Sequence, residues 1–271
     1  MKRTLKLVLY YFGYQLAFTI VASVISVVLA HLGMVDKYVG ILNATAIALL
    51  LSGIMMGWHL IHFKYITFGW KSFGEVPAKS LWLSIPFILA SMVFINLCSE
   101  FIDLPNWMEN DFFAMSRNLF GILSAAVMAP VVEEFLFRGA IEGHLLKQGK
   151  RPASAILISA LIFGIIHINP AQVPFAFAIG LVFGWLYYRT GSVVPGIIGH
   201  FINNSIACIQ MATLSKEELN TKTVDMIGET ATCLLFAASF LIMIGTFLYM
   251  KKHLPEAPEY KEEEEEESLT I

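Results

Sequence analysis

The chain has 271 residues, of which 57% are hydrophobic and only 14% are charged. Soluble domains carry about 25% charged residues, so this composition excludes a soluble globular enzyme and indicates an integral membrane protein. The net charge of −3 is dominated by a run of six glutamates at 262–267, and the rest of the chain is mildly basic. No polar region is long enough to form a soluble domain, so the expected surroundings are the lipid bilayer and not nucleic acid.

Eight apolar segments predict the fold class. A helix needs roughly 20 residues to cross a bilayer, and six of the segments meet that length. The fifth and sixth are shorter, and only Asn169 and Pro170 separate them, as in helices that line a protein-enclosed cavity. The predicted fold is all-α, a polytopic transmembrane bundle of about eight helices. The segments lie at about 5–32, 39–63, 80–103, 118–140, 153–168, 171–189, 193–212 and 230–250.

The positive residues of the connections predict the orientation, because Lys and Arg accumulate on the cytoplasmic side of membrane proteins. If all eight segments cross, most of these residues fall on one side together with both termini, which are therefore predicted to be cytoplasmic. Residues 1–254 then form one transmembrane domain. Residues 255–271 form an acidic tail that is predicted to be disordered, since its glutamates repel one another. The positive residues on this side are Lys2, Arg3, Lys6, Lys64, Lys71, Lys79, Lys147, Lys150, Arg151, Arg189, Lys251 and Lys252.

Three ionisable residues interrupt the fourth apolar segment, at Glu133, Glu134 and Arg138. Charged groups inside a membrane are costly and persist only when they are paired or used. Each helical residue advances by roughly 100°, which places Glu134 and Arg138 one turn apart on one face as an ion pair. Glu133 points elsewhere, so it either faces a polar cavity and performs chemistry or lies near a membrane surface beside a structural pair.

Two further polar motifs lie in apolar helices. Phe163-Gly-Ile-Ile-His167 ends the fifth segment, and His200-Phe-Ile-Asn-Asn204 lies early in the seventh. At about 1.5 Å per residue, Glu133, His167 and His200 all fall inside the hydrocarbon region. A shared cavity with a general base and neutral donors suits water activation. Alternatively, each histidine is hydrogen-bonded packing and Asn204 joins helices without chemistry.

The three motifs Glu133-Glu134-x-x-x-Arg138, Phe163-x-x-x-His167 and His200-x-x-x-Asn204, in this order, resemble those of the CPBP family. This family, also called Abi, includes the type II CAAX prenyl endopeptidases and bacteriocin-processing or self-immunity membrane proteins. The resemblance covers roughly Ala125 to Ala207, within a family-like core at about 118–212.

The resemblance implies an intramembrane endopeptidase that cleaves a membrane-associated or lipidated protein or peptide in a polar cavity open toward the cytoplasm. Glu133 would activate water with His167, while His200 and Asn204 would polarise the scissile carbonyl. Glu134 and Arg138 would support the site. The compact length favours a prokaryotic relative in the plasma (inner) membrane.

Metal dependence stays open at this point. Glu133, His167 and His200 form a His₂Glu set that zinc could accept, and a metal-free glutamate mechanism would use the same residues. We favour the absence of tightly bound zinc, because asparagine is a poor zinc ligand and Asn204 suits a hydrogen-bond donor better. The rival functions are a non-catalytic scaffold or bacteriocin self-immunity protein with the same bundle, and a proton or small-solute carrier.

Overall fold

The computed structural model describes residues 2–66, 76 and 78–260, and every regular element within these ranges is a helix. The predicted all-α class is therefore confirmed. Five helices are long and apolar enough to cross a membrane: α1, α2, α3, α5 and α11. The described helices are α1 (Lys2–His31), α2 (Lys37–His62), α3 (Ala78–Ser99), α4 (Glu109–Met115), α5 (Leu119–Lys147), α6 (Pro152–Ile165), α7 (Val173–Thr190), α8 (Val194–Thr213), α9 (Lys216–Asn220), α10 (Thr223–Ile227) and α11 (Glu229–His253).

The eight predicted segments correspond to α1, α2, α3, α5, α6, α7, α8 and α11 with ends shifted by a few residues. The largest shift is at α5, which continues to Lys147. The short segments are real helices, since α6 has 14 residues and α7 has 18. Many large apolar side chains on α1 and α11 are exposed, which suits lipid contact and would be costly in water.

Both described termini lie at one end of the bundle. Arg3 at the start of α1 donates to the carbonyl of Tyr65 after α2 (3.4 Å), and Arg189 at the end of α7 donates to the carbonyl of Leu254 (3.0 Å). We name this the terminal end: the start of α1, the end of α11 and the α2–α3, α5–α6 and α7–α8 connections.

The other connections meet at the opposite end, which we name the distal end. Asn169, between α6 and α7, accepts from the backbone N–H of Trp107 (3.0 Å). Glu100 accepts from the backbone N–H (2.9 Å) and hydroxyl (2.7 Å) of Thr223. The distal end therefore consists of the 100–118 segment, the α6–α7 connection, the 214–228 loop and the α1–α2 connection.

The start of the acidic tail contacts α7. Residues 255–260 are not helical, but the Tyr260 hydroxyl donates to the carbonyls of Tyr187 (3.0 Å) and Tyr188 (3.1 Å). Burial raises the pKa of the Tyr260 phenol, so it stays a donor. The Tyr260 side chain thus attaches to α7 just before the glutamate run at 262–267. The predicted disorder of the glutamate run falls on residues 261–271, which lie outside the described residues.

Helix α5 changes its winding twice, and these changes flank the paired glutamates. It is π-helical over Leu123–Met128 and over Phe135–Glu142, with an ordinary α-helical turn at Ala129–Glu134 between them. π-Helical turns are rare and are frequent at functional sites. The sequence pattern did not predict them, because a single inserted residue per turn leaves an apolar run unchanged in appearance.

Candidate active site

One cavity of about 500 Å³ brings the four predicted catalytic residues together. Its lining includes Glu133 from α5, His167 from the end of α6, and His200 and Asn204 from α8. These side chains come from three helices that are separated along the chain. Glu134 and Arg138 do not line this cavity and lie behind it.

Glu134 and Arg138 form the ion pair that their spacing predicts. Nη1 of Arg138 lies 3.0 Å from Oε1 of Glu134, and both residues have no exposed surface. The guanidinium also donates to the carbonyl of Gly180 on α7 (3.2 Å) and lies 4.4 Å from the ring centroid of Phe163. These contacts tie α5 to α6 and α7, while Nε of Arg138 and Oε2 of Glu134 have no hydrogen-bond partner among the described residues.

His200 contacts both glutamates. Its Nδ1 lies 3.3 Å from Oε1 of Glu134, and its Nε2 lies 3.8 Å from Oε2 of Glu133. The ring is buried and packs on Phe163 and Phe183, with centroids 5.6 and 5.9 Å away. These contacts fix the ring so that Nδ1 faces the supporting pair and Nε2 faces the cavity. The sequence did not predict this second role of Glu134.

His167 is oriented by its own helix. Its Nδ1 lies 2.8 Å from the backbone carbonyl of Phe163, one turn earlier. A carbonyl only accepts hydrogen bonds, so Nδ1 is the donor, and in the neutral ring the lone pair is then on Nε2. The spacing Phe163-x-x-x-His167 therefore sets the tautomer as well as the position. The next residue, Ile168, lies beyond the end of α6 and has a left-handed backbone with φ of 59°, which is unusual for a β-branched residue.

The Asn204 side chain makes two hydrogen bonds within the protein. Its side-chain N–H donates to the carbonyl of Ala125 (2.8 Å), and its oxygen accepts from Asn203 (3.1 Å). An amide nitrogen has two hydrogens, so one remains for another acceptor. The bond to Ala125 attaches α8 to the first π-helical part of α5.

Two residues of this region were not predicted from the sequence. The Tyr11 hydroxyl on α1 donates to Oε1 of Glu133 (2.9 Å), a contact that no local pattern could indicate. Glu142 is fully buried, and neither carboxylate oxygen has a hydrogen-bond partner among the described residues. The sequence spacing could have indicated that Glu142 lies near Arg138, because Glu142 follows Arg138 by the same four residues that separate Glu134 from Arg138.

The zinc hypothesis gains no support from the ligand geometry. Within residues 2–66, 76 and 78–260, no group of three or more His, Cys, Asp or Glu side chains could hold a metal ion. Glu133, His167 and His200 line one cavity, but they would have to move to bind one ion.

The cavity reaches the distal end and not the terminal end. Besides the four polar residues, its wall includes Trp107, Phe112, Gln172 and Met211. None of its lining residues comes from the described parts of the terminal end. The lining therefore lies away from the end that holds both described termini, and the cytoplasmic opening and the cytoplasmic termini stay predictions. Helical spacing predicts the depth of each residue in its helix. It does not predict which connections surround the cavity.

Comparisons with known proteins agree with the motifs. A family model described as "Type II CAAX prenyl endopeptidase Rce1-like" matches residues 115–206. The chain is 30% identical over 105 residues to a putative membrane peptidase, YdiL, of Bacillus subtilis (strain 168), which covers 39% of this chain and 43% of that protein. It is 30% identical over 107 residues to the membrane-embedded CAAX protease MroQ of Staphylococcus aureus (strain USA300), covering 38% and 43%.

The chain thus spans 43% of the length of each of these relatives. No solved structure matches it. The matched segment contains all three motifs and the helices α5 to α8 that carry them. Through residues 115–206, this multi-pass membrane protein is similar to the CPBP family of type II CAAX prenyl endopeptidases.

Proposed function

We propose that the protein is an intramembrane endopeptidase that hydrolyses a peptide bond of a membrane-associated or lipidated protein or peptide. The observation that carries this proposal is the meeting of Glu133, His167, His200 and Asn204 in one cavity. The related membrane peptidases from two bacteria support it, and they favour the plasma membrane as its location.

Glu133 is the general base in this mechanism. Tyr11 holds Oε1 of the carboxylate, which leaves Oε2 for the attacking water. The Nε2 lone pair of His167 accepts the second hydrogen of that water and orients it. The water oxygen then bonds to the scissile carbonyl carbon, its proton passes to Glu133, and the carbonyl π electrons move to the oxygen.

His200 and Asn204 stabilise the resulting oxyanion. Nδ1 of His200 faces Glu134, and an N–H at Nε2, which faces the cavity, donates to the oxyanion. The remaining N–H of Asn204 is the second donor. Donors fixed in a dry cavity contribute more to catalysis than they would in water, because they need no reorganisation during the reaction.

Glu133 completes the reaction by returning its proton. The protonated carboxyl donates to the leaving nitrogen as the carbon–nitrogen bond breaks and the carbonyl re-forms. The products are a carboxylic acid and an amine, and the enzyme recovers its initial protonation state. Glu134 and Arg138 do not touch the substrate in this scheme, and they position His200.

The test uses the purified protein in liposomes with a membrane-anchored, fluorescently quenched peptide. Loss of a general base or its partner costs about 10²–10⁴-fold in rate, so Glu133→Gln and His167→Ala should lower kcat by at least about 100-fold. Both variants should keep the wild-type melting temperature. The control is His31→Ala, which removes an exposed histidine from the last position of α1 and should leave cleavage unchanged.

The non-catalytic scaffold or self-immunity protein is the alternative. Both functions use the same bundle, but only the peptidase needs a general base. A cellular phenotype that survives Glu133→Gln at normal expression would favour the scaffold. Turnover at the wild-type rate by that variant would remove Glu133 from the mechanism.

A further inference from the structure

We propose that a second, smaller pocket beside the active-site cavity binds the side chain of one of the two substrate residues that flank the scissile bond. The side chain that fits this pocket is short, uncharged and able to form hydrogen bonds. This inference rests on the proposed peptidase function and adds a specificity pocket to it. The position, the size and the polarity of the smaller pocket support it.

The smaller pocket shares part of its wall with the active-site cavity. Glu133 and the lining residues of α1 and α2 belong only to the cavity, and the lining residues of α7 belong only to the smaller pocket. In the proposed mechanism the scissile carbonyl contacts His200 and Asn204, so a side chain on either flanking residue begins next to the smaller pocket. The residues that line both spaces are His167, Gln172, His200 and Asn204.

The volume of the smaller pocket limits the side chain that can enter. This volume is about 80 Å³, compared with about 500 Å³ for the active-site cavity. A water molecule occupies about 30 Å³ in the liquid, so the pocket has room for one side chain of only a few heavy atoms. Its wall includes the buried side chains of Phe163, Ile179 and Phe183, which are close-packed and resist expansion. Long and aromatic side chains are therefore excluded.

Three primary amides give the smaller pocket its hydrogen-bonding capacity. Gln172, Asn203 and Asn204 all line it. Asn203 donates one N–H to Oδ1 of Asn204 (3.1 Å), and a primary amide has two N–H groups and an accepting oxygen. Asn203 therefore keeps one donor and one acceptor for a bound side chain, and Gln172 adds another amide at the boundary with the cavity.

The smaller pocket offers no partner of fixed charge. Among the residues that the structure describes, no Lys, Arg, Asp or Glu lines it. A charged side chain that enters such a pocket loses its hydration without gaining an ion pair, which is costly. Hydroxyl and amide side chains lose less and find the amides as partners. The pocket therefore favours serine, threonine or asparagine in the substrate.

Asn203 connects the smaller pocket to the oxyanion donor Asn204. Its bond to Oδ1 of Asn204 is one of two that orient the Asn204 amide, and the other runs from the Asn204 N–H to the carbonyl of Ala125 (2.8 Å). A substrate side chain bound to Asn203 therefore also steadies Asn204 while the oxyanion forms. Asn203 acts as a positioning residue, so the preference for a hydrogen-bonding side chain should appear in kcat as well as in KM.

Pairs of peptides with side chains of equal shape test the hydrogen-bonding preference. The quenched peptide of the liposome assay carries asparagine or leucine, or threonine or valine, at each position that flanks the scissile bond in turn. Loss of one hydrogen bond corresponds to about five- to tenfold, so kcat/KM should be higher by that factor for asparagine and threonine at one of the two positions. Equal kcat/KM within both pairs at both positions would refute the specificity pocket and leave it as a site for water.

Two variants test the walls of the smaller pocket. Ala176 is buried and lines only this pocket, so Ala176→Leu should lower kcat/KM about tenfold more for the asparagine peptide than for a glycine peptide. Ala178→Leu, on the same helix but lining neither space, is the matched control and should leave this ratio unchanged. Asn203→Leu should remove the preference for asparagine over leucine. An unchanged ratio in Ala176→Leu, or an unchanged preference in Asn203→Leu, would contradict the proposal.

Binding without turnover separates this proposal from the peptidase function. The Glu133→Gln protein lacks the general base, and Glu133 does not line the smaller pocket. A dye-labelled peptide without its membrane anchor, titrated with this variant in detergent, should show a Kd about fivefold lower with asparagine than with leucine at the preferred position. Equal Kd values would refute the specificity pocket. The expected difference in Kd, together with no cleavage of any peptide by the wild-type protein, would support the pocket and count against the peptidase alone.

Discussion

Tyr11 on α1 donates a 2.9 Å hydrogen bond to Glu133 on α5, although 122 residues separate them in the chain. Tyr11 lies outside the segment 115–206 that the family model matches. The first helix therefore contributes directly to the candidate active site. Because the bond fixes one oxygen of the carboxylate, it determines which oxygen is left to meet water.

Tyr11→Phe removes this donor and keeps the ring. Hydrogen bonds to charged groups contribute about 1.5–3 kcal/mol, and each 1.4 kcal/mol corresponds to tenfold in rate. We expect kcat to fall about 10- to 100-fold in the liposome assay, with a small loss of melting temperature because the buried bond is also lost from the folded state. Tyr14→Phe is the control, since its hydroxyl contacts His59 (2.8 Å) and not the cavity. An equal loss in both variants would show that α1 acts only through packing.

Substitutions of the two adjacent glutamates, Glu133 and Glu134, should have different effects on folding and activity. Glu134→Gln removes one partner of a fully buried ion pair with Arg138, which costs about 3–5 kcal/mol. It should therefore lower the melting temperature in detergent and reduce the folded fraction on size-exclusion chromatography. Glu133→Gln should remain folded and inactive. Equal melting losses in the two variants would show that the roles are divided wrongly.

Gly196 should tolerate no side chain. A Cβ there would overlap Oε2 of Glu134, and moving this oxygen would disturb the contacts of Oε1 with Arg138 and His200. Overpacking costs about 1–3 kcal/mol, so Gly196→Ala should lower both activity and melting temperature. Gly245→Ala, in α11, meets nothing within 4 Å. Alanine is a better helix former than glycine, so this control should be neutral or slightly stabilising, and a similar loss in both would contradict the overlap.

Asn169 should hold the 106–107 segment beside His167. It is fully buried, accepts from the Trp107 N–H (3.0 Å) and donates to the Asn106 side chain (2.8 Å). Each bond contributes about 1 kcal/mol. Asn169→Ala should increase hydrogen exchange at the Trp107 amide, while Asn110→Ala, an exposed residue nearby, should not. Unchanged exchange in Asn169→Ala would show that other contacts hold the segment.

The helices and the paired charges were predictable because both follow from local periodicity. Apolar runs located eight helices, and the four-residue spacing of Glu134 and Arg138 predicted their 3.0 Å ion pair. The spacing in Phe163-x-x-x-His167 likewise placed the histidine one turn from the carbonyl that orients it. Each of these inferences needs only one helix.

The remaining features depend on contacts between distant helices. Tyr11 meets Glu133 only after α1 packs near α5, and Glu134 contacts His200 across 66 residues. The side of the cavity opening depends on how the 100–118 segment folds over the bundle. Helix depth alone could not determine it, because Glu133 lies 14 residues from either end of α5.

The most direct test compares membrane peptides from cells that express the wild-type protein or Glu133→Gln at equal levels. The wild-type membranes should contain cleaved peptides, with new carboxyl and amino termini, that are missing from the Glu133→Gln membranes. Mass spectrometry would identify these termini and the substrate together. Identical peptide sets in the two membranes, with both proteins folded, would contradict the assignment of Glu133 as the general base of an intramembrane endopeptidase.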